Sequence, residues 1–326
     1  MWNYVVRRLL YTPLIVIGVL LVTFLLFVVV QGDLSTEIAG RSASAETIAE
    51  IRAEYGWDKP LFINIEGMKQ HGVEALFDSQ FVKHFVDTVT FNFGRSRASK
   101  QRIPELLWDG AGPSLCLTLP MFAGLLSTSL SISLIIAFAR GTIWDTILVV
   151  ICVLGMSLPS LAFILLGQYF LAYKLGWFPI FGYEPGWSGA KFLTLPVLIG
   201  IIAGLGSDVR FYRTVMLDEI RADYIRTAYA KGVSTRRVLF VHLLKNALIP
   251  VITSVVLAIP FLFLGSLLLE RFFGIPGLGY MMIEAIGNRD FKVISAMTFI
   301  ISVLFVFGNL ATDICYALVD PRISLH

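Results

Sequence analysis

The amino-acid sequence predicts an all-α integral membrane protein with six transmembrane helices. Hydrophobic residues make up 56% of the 326 residues and charged residues only 15%, so a soluble domain of this composition would lack the polar side chains to cover its surface. A hydrocarbon core about 30 Å thick requires about 20 apolar residues per helix. Six stretches meet or approach that length, at residues 9–30, 114–139, 146–173, 191–207, 247–269 and 293–318.

The first apolar stretch is expected to remain as a membrane anchor. Its apolar core is about twice as long as that of a secretory signal peptide, and no small-residue cleavage pattern follows Val30. The stretch at 191–207 is the weakest of the six, because it is short and interrupted by Pro196. The chain is therefore expected to divide into an anchor helix (1–30), an extracytoplasmic loop region (31–113) and a five-helix core (114–326).

The loop region after the first span is expected to be partly ordered, because it holds too many large apolar side chains for a solvated linker. These side chains are Trp57, Phe62, Ile63, Phe77, Phe81, Phe85, Phe91 and Phe93. Residues 47–55 predict a short helix ended by Gly56, and residues 73–86 predict an amphipathic segment. Two interpretations stay open: a packed cap on the membrane surface, or a docking surface for a soluble partner outside the membrane.

The distribution of Lys and Arg predicts that both termini are cytoplasmic. The segment 208–246 holds eight Lys or Arg against four Asp or Glu, whereas the loop 31–113 holds nine against twelve. Arg7, Arg8 and Arg140 lie on the same side as the basic segment. The formal net charge of +3 is therefore a sign of topology, and no basic run with interleaved aromatic residues indicates nucleic-acid binding.

Helix breakers and polar residues inside the spans indicate a bundle with a wet or mobile interior. Several spans contain a proline, among them Pro120, Pro159, Pro196 and Pro260. Three polar side chains are expected to face protein or water: Gln168, Asn309 and Asp313. The hydroxyl-rich stretch 127–133 either packs closely against another helix or lines a passage. The cysteines lack ligand-like spacing and are expected to be small core residues: Cys116, Cys152 and Cys315.

The residues directly after the fifth span are the best candidates for a charged group near a passage. Glu270 and Arg271 lie at the predicted outer end of that span. They are either a charged pair beside a passage or a plain interfacial ion pair, and both interpretations stay open. A glycine-rich turn, GIPGLG at 274–279, follows them.

The basic segment between the fourth and fifth spans predicts a helix, a sharp turn and a second helix. Residues 217–231 contain good helix formers and no proline, and Gly232 after the Lys231 cation is a typical helix stop. Ser234 can cap the second helix. The small residues Ala228, Ala230 and Gly232 would let the backbone of another protein approach closely. A solvated basic loop that serves only the membrane topology is the alternative.

Six segments then agree, in order and spacing, with one known family. They are YIRTAYAKGVSTRRVLFVHLLKNALIP (224–250), YVVRRLL (4–10), YGWDKPL (55–61), FNFGRS (91–96), ERFFGIPGLG (270–279) and DICYALVDPRI (313–323). The first resembles the cytoplasmic EAA loop of ABC-importer permeases, in the form typical of the dipeptide/oligopeptide (peptide/nickel) family. Arg226 stands where the general pattern has Glu, and Thr227 takes the first Ala position, although Arg-Thr-Ala is usual in the peptide branch. The loop between Leu61 and Phe91 is longer than in the commonest members, which bears on the substrate.

The resemblance implies a permease subunit of an ATP-driven importer that moves di- or oligopeptides across the bacterial cytoplasmic (inner) membrane. Nickel, glutathione or a peptide antibiotic is the alternative cargo. The family pairs two permease subunits, usually as a heterodimer, with two cytoplasmic ATPases and an extracytoplasmic binding protein. The chain has no Gly-x4-Gly-Lys-[Ser/Thr] phosphate loop, so ATP and Mg²⁺ are expected on the partner ATPases, with no enzyme activity and no cofactor or metal on this chain.

Two sets of site residues follow from the resemblance. The ATPase-coupling residues are expected to be Tyr224, Arg226, Thr227, Ala228, Lys231 and Gly232. Residues of a possible substrate pathway are Glu270, Arg271, Gly274, Gly277, Gly279 and Gln168. Because peptides are zwitterions, a pathway mouth with exposed backbone and charge would suit them.

Two other classes of protein are less consistent with the sequence. A secondary transporter or channel would be expected to show inverted repeats and a mid-membrane ionisable residue, and neither is clear. An intramembrane enzyme would be expected to carry a His-Glu-x-x-His or Gly-x-Ser-x-Gly motif, and the sequence has neither. Its four histidines lie outside the predicted spans: His71, His84, His242 and His326.

Overall fold

The computed structural model describes residues 2–40, 43–65, 69 and 73–319. Apart from one isolated bridge between Arg95 and Arg102, the regular secondary structure of these residues is helical. The chain divides into two compact units. The core unit comprises Met1–Val5, Asp109–Ile283 and Phe307–His326, and the N-terminal unit comprises Val6–Trp108 and Glu284–Val306.

The described residues contain four to six membrane spans. Four helices are long and apolar enough to cross a bilayer: Leu10–Val29, Ile103–Ala137, Trp187–Ile220 and Phe291–Thr312. Two helix pairs qualify only as bent spans: Ile143–Ser157 with Ser160–Lys174, bent by 92°, and Thr235–Leu248 with Pro250–Phe263, bent by 46°. The prediction of an all-α membrane protein is confirmed, and a count of six requires both bent pairs to cross.

The first membrane helix is followed by several short helices. Helix α1 runs over Trp2–Phe24 and continues as a π-helix over Leu25–Val29. The next elements are α2 (Ser35–Ala39), α3 (Ala45–Tyr55), a 3-10 helix (Val73–Phe77) and α4 (Gln80–Val89). The predicted helix at 47–55 is therefore confirmed.

Serine caps and a glycine set the ends of α3 and α4. The Ser44 hydroxyl accepts a hydrogen bond from a backbone N–H in the first turn of α3 at 3.2 Å, and Gly56 ends that helix with φ +77°. The Ser79 hydroxyl accepts from the backbone N–H of Val82 at 3.3 Å. Because Ser79 itself is extended, the amphipathic segment predicted at 73–86 is wrong as a single element, and α4 begins only after this cap.

Aromatic side chains of the loop region pack on the end of α1. Phe24 is fully buried, and its ring centroid lies 5.4 Å from that of Phe62 and 5.3 Å from that of Phe81, both edge-on. His84 Nε2 lies 3.3 Å from Thr23 Oγ1. The described part of the loop region thus packs in order around the end of α1, as the packed-cap interpretation requires.

The remaining helices follow in sequence order. They are α5 (Ile103–Phe138), α6 (Ile143–Ser157), α7 (Ser160–Gly167) with a π-helix (Gln168–Lys174), α8 (Ala190–Ile220), α9 (Asp223–Ala230), α10 (Thr235–Arg237) with a π-helix (Val238–Leu243), α11 (Leu244–Leu264), α12 (Leu267–Phe273), α13 (Leu278–Gly287) and α14 (Phe291–Val319).

Two predicted spans are interrupted where the backbone cannot continue as a helix. The span predicted at 146–173 breaks before Pro159, because the residue before a proline is disfavoured in the α region, and Leu158 is extended with ψ 132°. The span predicted at 247–269 already ends at Leu264, because Gly265 turns the chain with φ +75°.

Two other spans are longer than their apolar stretches. Helix α5 begins well before residue 114, and α8 has 31 residues although only 191–207 reads as apolar. Charged residues from Asp208 onward end the apolar pattern, but they are compatible with a helix that continues beyond the hydrocarbon. Pro196 lies within the first two turns of α8, where it is buried.

Small residues bring α8 close to its neighbours. A Cβ added to Gly206 would lie 2.7 Å from the carbonyl oxygen of Cys152 in α6, so only glycine allows this approach. The buried Ser133 hydroxyl in α5 donates to the carbonyl oxygen of Val209 in α8 at 3.0 Å. For Ser133, the structure therefore favours close helix packing over the lining of a passage.

A two-point ion pair joins the start of α6 to α8. Arg213 Nε and Nη2 each donate to a different carboxylate oxygen of Asp145 at 3.0 Å. The backbone N–H of Gly141 donates to the same carboxylate at 3.2 Å. Asp145 is 8% exposed, so the carboxylate depends on these donors rather than on water.

Replacing Arg213 with Met is expected to lower the free energy of unfolding by about 2–3 kcal/mol, because it leaves a buried carboxylate without its cation. Adding Asp145→Leu should recover most of that loss, since the double variant removes both charges. Thermal unfolding in detergent micelles would measure both effects, with the exposed Arg210→Met as matched control. A loss in Arg213→Met no larger than in the control would contradict the assigned role.

Candidate functional site

Helix α9, in the basic segment between the fourth and fifth predicted spans, has one buried face and one exposed face. Ile225 and Ala228 are 2% and 7% exposed and belong to an apolar cluster. The cluster also includes Leu134 and Ala137 of α5, Met216 of α8, and Val238, Leu239, Leu243 and Ala247 along the chain into α11. Arg226, Thr227 and Lys231 lie on the exposed face. The helix is therefore attached to three membrane helices on one side and open to a partner on the other.

The helical conformation is interrupted between α8 and α9, so the prediction of one continuous helix over 217–231 is wrong. Helix α8 ends at Ile220, and the backbone N–H groups of Arg221 and Ala222 bond to carbonyls of the preceding turn at 3.2 and 3.1 Å. Ala222 is extended, with ψ 146°. The break turns α9 away from the axis of α8 without a proline or glycine, which is why the sequence pattern did not reveal it.

Tyr224 braces this break rather than facing outward. Its hydroxyl donates a hydrogen bond to the Glu219 carboxylate. Burial, together with this hydrogen bond, raises the pKa of Tyr224 to about 12, so the hydroxyl stays protonated and remains a donor at neutral pH. Tyr224 thus holds the end of α8 and the start of α9 together.

A Schellman turn at Gly232 ends α9, and the helix stop predicted there is confirmed. The N–H of Gly232 donates to the Tyr229 carbonyl at 2.9 Å, and the N–H of Val233 donates to the Ala228 carbonyl at 3.2 Å. Gly232 has φ +74°, and a Cβ added there would meet no atom within 4 Å. The glycine therefore serves the turn and leaves open space at the tip.

The predicted coupling residues divide into two groups. Arg226, Thr227, Lys231 and Gly232 are exposed, and 76% of the Arg226 side-chain surface is open. Tyr224 and Ala228 turn inward. The expectation that Ala228 contributes to a small exposed tip is wrong, because its methyl group packs in the apolar cluster.

A second cluster forms around Glu270, which is fully buried at the N-terminal part of α12. Oε1 accepts hydrogen bonds from Ser114 Oγ at 2.7 Å and from the backbone N–H of Ser266 at 3.2 Å. Oε2 accepts one from the backbone N–H of Tyr280 at 2.9 Å. Ser114 Oγ in turn accepts from the N–H of Leu278 at 2.8 Å. These bonds tie α12 to α5 and to the start of α13.

Three glycines make room for the buried carboxylate. A Cβ added at Gly265, Gly277 or Gly279 would run into a Glu270 carboxylate oxygen, and at Gly277 it would also collide with Ser114 Oγ. Burial raises the pKa of Glu270, and the hydrogen bonds from Ser114 and the backbone of Tyr280 act in the opposite direction. Gly265 and two glycines of the glycine-rich turn thus leave the space that the Glu270 carboxylate occupies.

The expectation of an exposed Glu270 at a pathway mouth is wrong, because the carboxylate is closed off from solvent and fully hydrogen-bonded by neutral donors. The charged pair with Arg271 is not formed either: the Arg271 guanidinium lies 5.0 Å from the ring centroid of Tyr280. Arg271 itself is exposed. Ser114 and Ser266, which sequence reasoning did not identify, complete the cluster; the nearby glycine-rich turn was the available signal.

Gln168 and Gly274 hold the other end of α12. Gln168 Nε2 donates to the carbonyl oxygens of Phe272 at 2.9 Å and Ile180 at 3.1 Å. Gly274 turns the chain after α12 with φ +65°. Five of the six predicted pathway residues therefore build the support of α12, and Arg271 is the one that presents an exposed charge.

The other polar positions singled out in the sequence have different outcomes. Asn309 is half-buried in α14. Cys116 is exposed, contrary to the expected core position, and Cys152 is half-buried. The side chains of Asp313 and Cys315, together with the residues His71 and His326, lie outside the described residues.

Comparison with known proteins covers almost the whole chain. Residues 129–325 match the family described as "Binding-protein-dependent transport system inner membrane component", and residues 1–118 match "Binding-prot-dependent transport system membrane comp, N-term". A putative peptide transport system permease protein of Brucella abortus (strain 2308) is 32% identical over 94% of this chain and 93% of its own length.

Two further relatives match from end to end. The dipeptide transport system permease protein DppB of Alkalihalophilus pseudofirmus is 30% identical over 99% of this chain and 100% of its own length. The glutathione transport system permease protein GsiC of Salmonella paratyphi A is 33% identical over 99% of both chains.

Gly277→Ala is expected to lower the free energy of unfolding by about 1–3 kcal/mol, because the new methyl group collides with Glu270 and Ser114. Gly112→Ala is the matched control, since a Cβ there meets nothing within 4 Å. Chemical denaturation of both variants in detergent would measure the difference. Equal stability of the two variants would show that the Glu270 carboxylate does not need the space that Gly277 leaves.

Proposed function

The chain belongs to the family of binding-protein-dependent transport system inner membrane components, and from this membership we propose that it is the permease subunit of an ATP-driven importer of di- or oligopeptides. Its relatives are named as permeases for peptides, dipeptides and glutathione, which favours peptides over nickel as cargo. The membrane is the bacterial inner membrane, with both termini in the cytoplasm.

The observation that carries the coupling mechanism is the two-faced α9. Its exposed residues Arg226, Thr227 and Lys231 would seat in a cleft of an ATPase subunit. Its buried residues Ile225 and Ala228 pack in a cluster shared by α5, α8 and the chain into α11. A displacement of α9 would therefore move membrane helices directly, because close-packed contacts transmit a shift rather than absorb it.

Coupling of this kind is a difference in ATPase affinity between two packings of the membrane helices. Such linkages are typically about 1–3 kcal/mol. The bends at Pro159 and near Pro250 are positions where the bundle departs from straight helices and where an alternative packing needs few broken hydrogen bonds.

The proposed assembly contains a second permease subunit, which would form a heterodimer with this chain. Two cytoplasmic ATPases would bind ATP and Mg²⁺, since the sequence has no phosphate loop. An extracytoplasmic binding protein would deliver the peptide. In this arrangement the chain is a transport subunit rather than an enzyme, and the exposed Arg271 is the candidate to meet the peptide in the pathway.

Gly232→Trp is expected to leave the chain folded and inserted while abolishing peptide uptake and weakening ATPase binding. The indole would occupy the open space at the tip of α9, where the ATPase must approach. Uptake of a radiolabelled dipeptide by the whole transporter, and co-purification of the ATPase, would measure the two effects.

Gly176→Trp separates this effect from backbone strain. Gly176 also has a positive φ, +65°, and open space around it, but it lies outside α9. Both variants carry a left-handed non-glycine residue, at about 1 kcal/mol each, so only Gly232→Trp should lose the ATPase. Equal uptake and equal ATPase recovery in the two variants would refute coupling through α9. Uptake by both variants with no ATPase recovered from either, or from wild type, would favour a transporter that needs no ATPase.

A further inference from the structure

The N-terminal unit contains a cavity of about 460 Å³ beside the ends of two apolar helices. Phe27, Val28 and Gln31 line it from the end of α1. Phe291, Lys292 and Ser295 line it from the start of α14. The rest of the lining comes from the end of α3, from α4 and from the segment after α4, and it includes Glu54, Tyr55, Trp57, Lys83, His84, Asp87, Asn92 and Phe93.

The lining carries charges of both signs that do not neutralise one another directly. Lys83 and Lys292 are its cations, and Glu54 and Asp87 are its anions. In the part of the chain that the structure describes, none of the four forms an ion pair within 4.0 Å. The Lys83 ammonium donates instead to the backbone carbonyl of Glu54 at 2.9 Å.

The two cations are close enough to repel each other. Lys292 interacts unfavourably with Lys83 and favourably with Glu54, Asp87 and Asp290. Two ammonium groups that share a partly enclosed site are relieved by a bound anion, because the attraction is strengthened where water is scarce. The carboxylates at the other positions of the lining similarly suit a bound cation.

Aromatic rings form one wall of the cavity. Tyr55 and Trp57 stack with their centroids 4.9 Å apart and their planes inclined by 18°, and Lys292 Nζ lies 4.1 Å from the Tyr55 ring centroid. Ring faces attract ammonium groups and also contact apolar chain. Burial lowers the pKa of His84, so its imidazole is neutral at neutral pH and adds hydrogen-bonding capacity without charge.

A ligand that carries both an anionic and a cationic group would suit this lining. The position of the cavity indicates which kind of ligand this is. Phe27 and Val28 belong to the last turn of the apolar span Leu10–Val29, and Phe291 and Lys292 open the span Phe291–Thr312. The cavity therefore lies where hydrocarbon gives way to the polar layer of a bilayer, the level at which amphipathic aromatic and Lys side chains gather. A phospholipid headgroup is present at this depth at high local concentration, whereas a free solute would have to enter from water.

We propose that this cavity binds the headgroup of a zwitterionic aminophospholipid such as phosphatidylethanolamine. The phosphate lies between the Lys83 and Lys292 ammonium groups, and the headgroup ammonium meets the carboxylates of Asp87 and Glu54. The apolar residues Phe27, Val28 and Phe291 contact the start of the acyl chains. The bound lipid thereby joins the loop region to the ends of α1 and α14, and this role is independent of the cargo of the transporter.

Native mass spectrometry of the full chain tests the proposal. The chain is reconstituted in nanodiscs that hold equal amounts of phosphatidylethanolamine and phosphatidylglycerol, and the lipids retained after release are counted. Wild type should retain phosphatidylethanolamine over phosphatidylglycerol by about tenfold, since each charge-assisted hydrogen bond changes an affinity by that order. Asp87→Asn should reduce this preference about tenfold, because its carboxylate meets the ammonium that only phosphatidylethanolamine carries. Lys292→Gln should instead lower the retention of both lipids, because both carry the phosphate.

Matched substitutions outside the cavity separate a site from general charge effects. Lys245→Gln and Asp58→Asn remove one charge each from exposed side chains that do not line the cavity, and both should keep the wild-type preference. Should Lys292→Gln fail to insert, Asp87→Asn at the half-buried position in α4 and Tyr55→Leu still test the same headgroup.

Two outcomes would overturn the proposal. One is equal retention of both lipids by wild type, or an unchanged preference in Asp87→Asn and Tyr55→Leu. Either result would mean that the cavity does not distinguish one lipid headgroup from the other. Displacement of the retained lipid by millimolar dialanine would identify a free zwitterion as the occupant and refute the lipid assignment.

Discussion

The buried Glu270 carboxylate is the constraint around which the core unit is organised. A carboxylate without water is stable in a protein only where donors surround it, and here one hydroxyl and two backbone N–H groups do so. Those donors come from α5, from the turn before α12 and from the start of α13, so satisfying one side chain fixes three segments. The glycines at 265, 277 and 279 follow from the same requirement, because each approaches the carboxylate too closely for a Cβ.

Helix α9 differs from the Glu270 cluster, because its contacts with the membrane helices are apolar and its charged side chains are exposed. Its inward side is held by Ile225 and Ala228, and its hinge with α8 is braced by the Tyr224–Glu219 hydrogen bond. Its outward side carries Arg226 and Lys231, whose charges stay in water unless a partner covers them. The docking role that we propose for α9 needs both properties at once, because a partner can displace the membrane helices through α9 only when α9 is firmly packed on them.

Composition and local motifs predicted the class of protein, the helix ended by Gly56 and the turn at Gly232, because these depend on neighbouring residues alone. The break at Leu158 likewise follows from its neighbour Pro159, which the sequence marks as a helix breaker. The long α8 and the division between α8 and α9 depend on backbone geometry that hydropathy does not encode. The burial of Glu270 was missed for a different reason. Its partner Ser114 lies 156 residues away in sequence, and a charged residue beside a span reads as exposed when that partner is unknown.

The charges of two clusters, one in each unit, differ in how they are neutralised. In the core unit, Asp145 has Arg213 and Glu270 has neutral donors, so each is complete within the chain. In the N-terminal unit, Lys292 and Asp87 line one cavity without a direct ionic partner among the described residues. An unpaired charge near hydrocarbon is costly unless water or a ligand solvates it. Charges completed internally therefore indicate architecture, and those left incomplete at the membrane boundary indicate a component supplied from outside the chain.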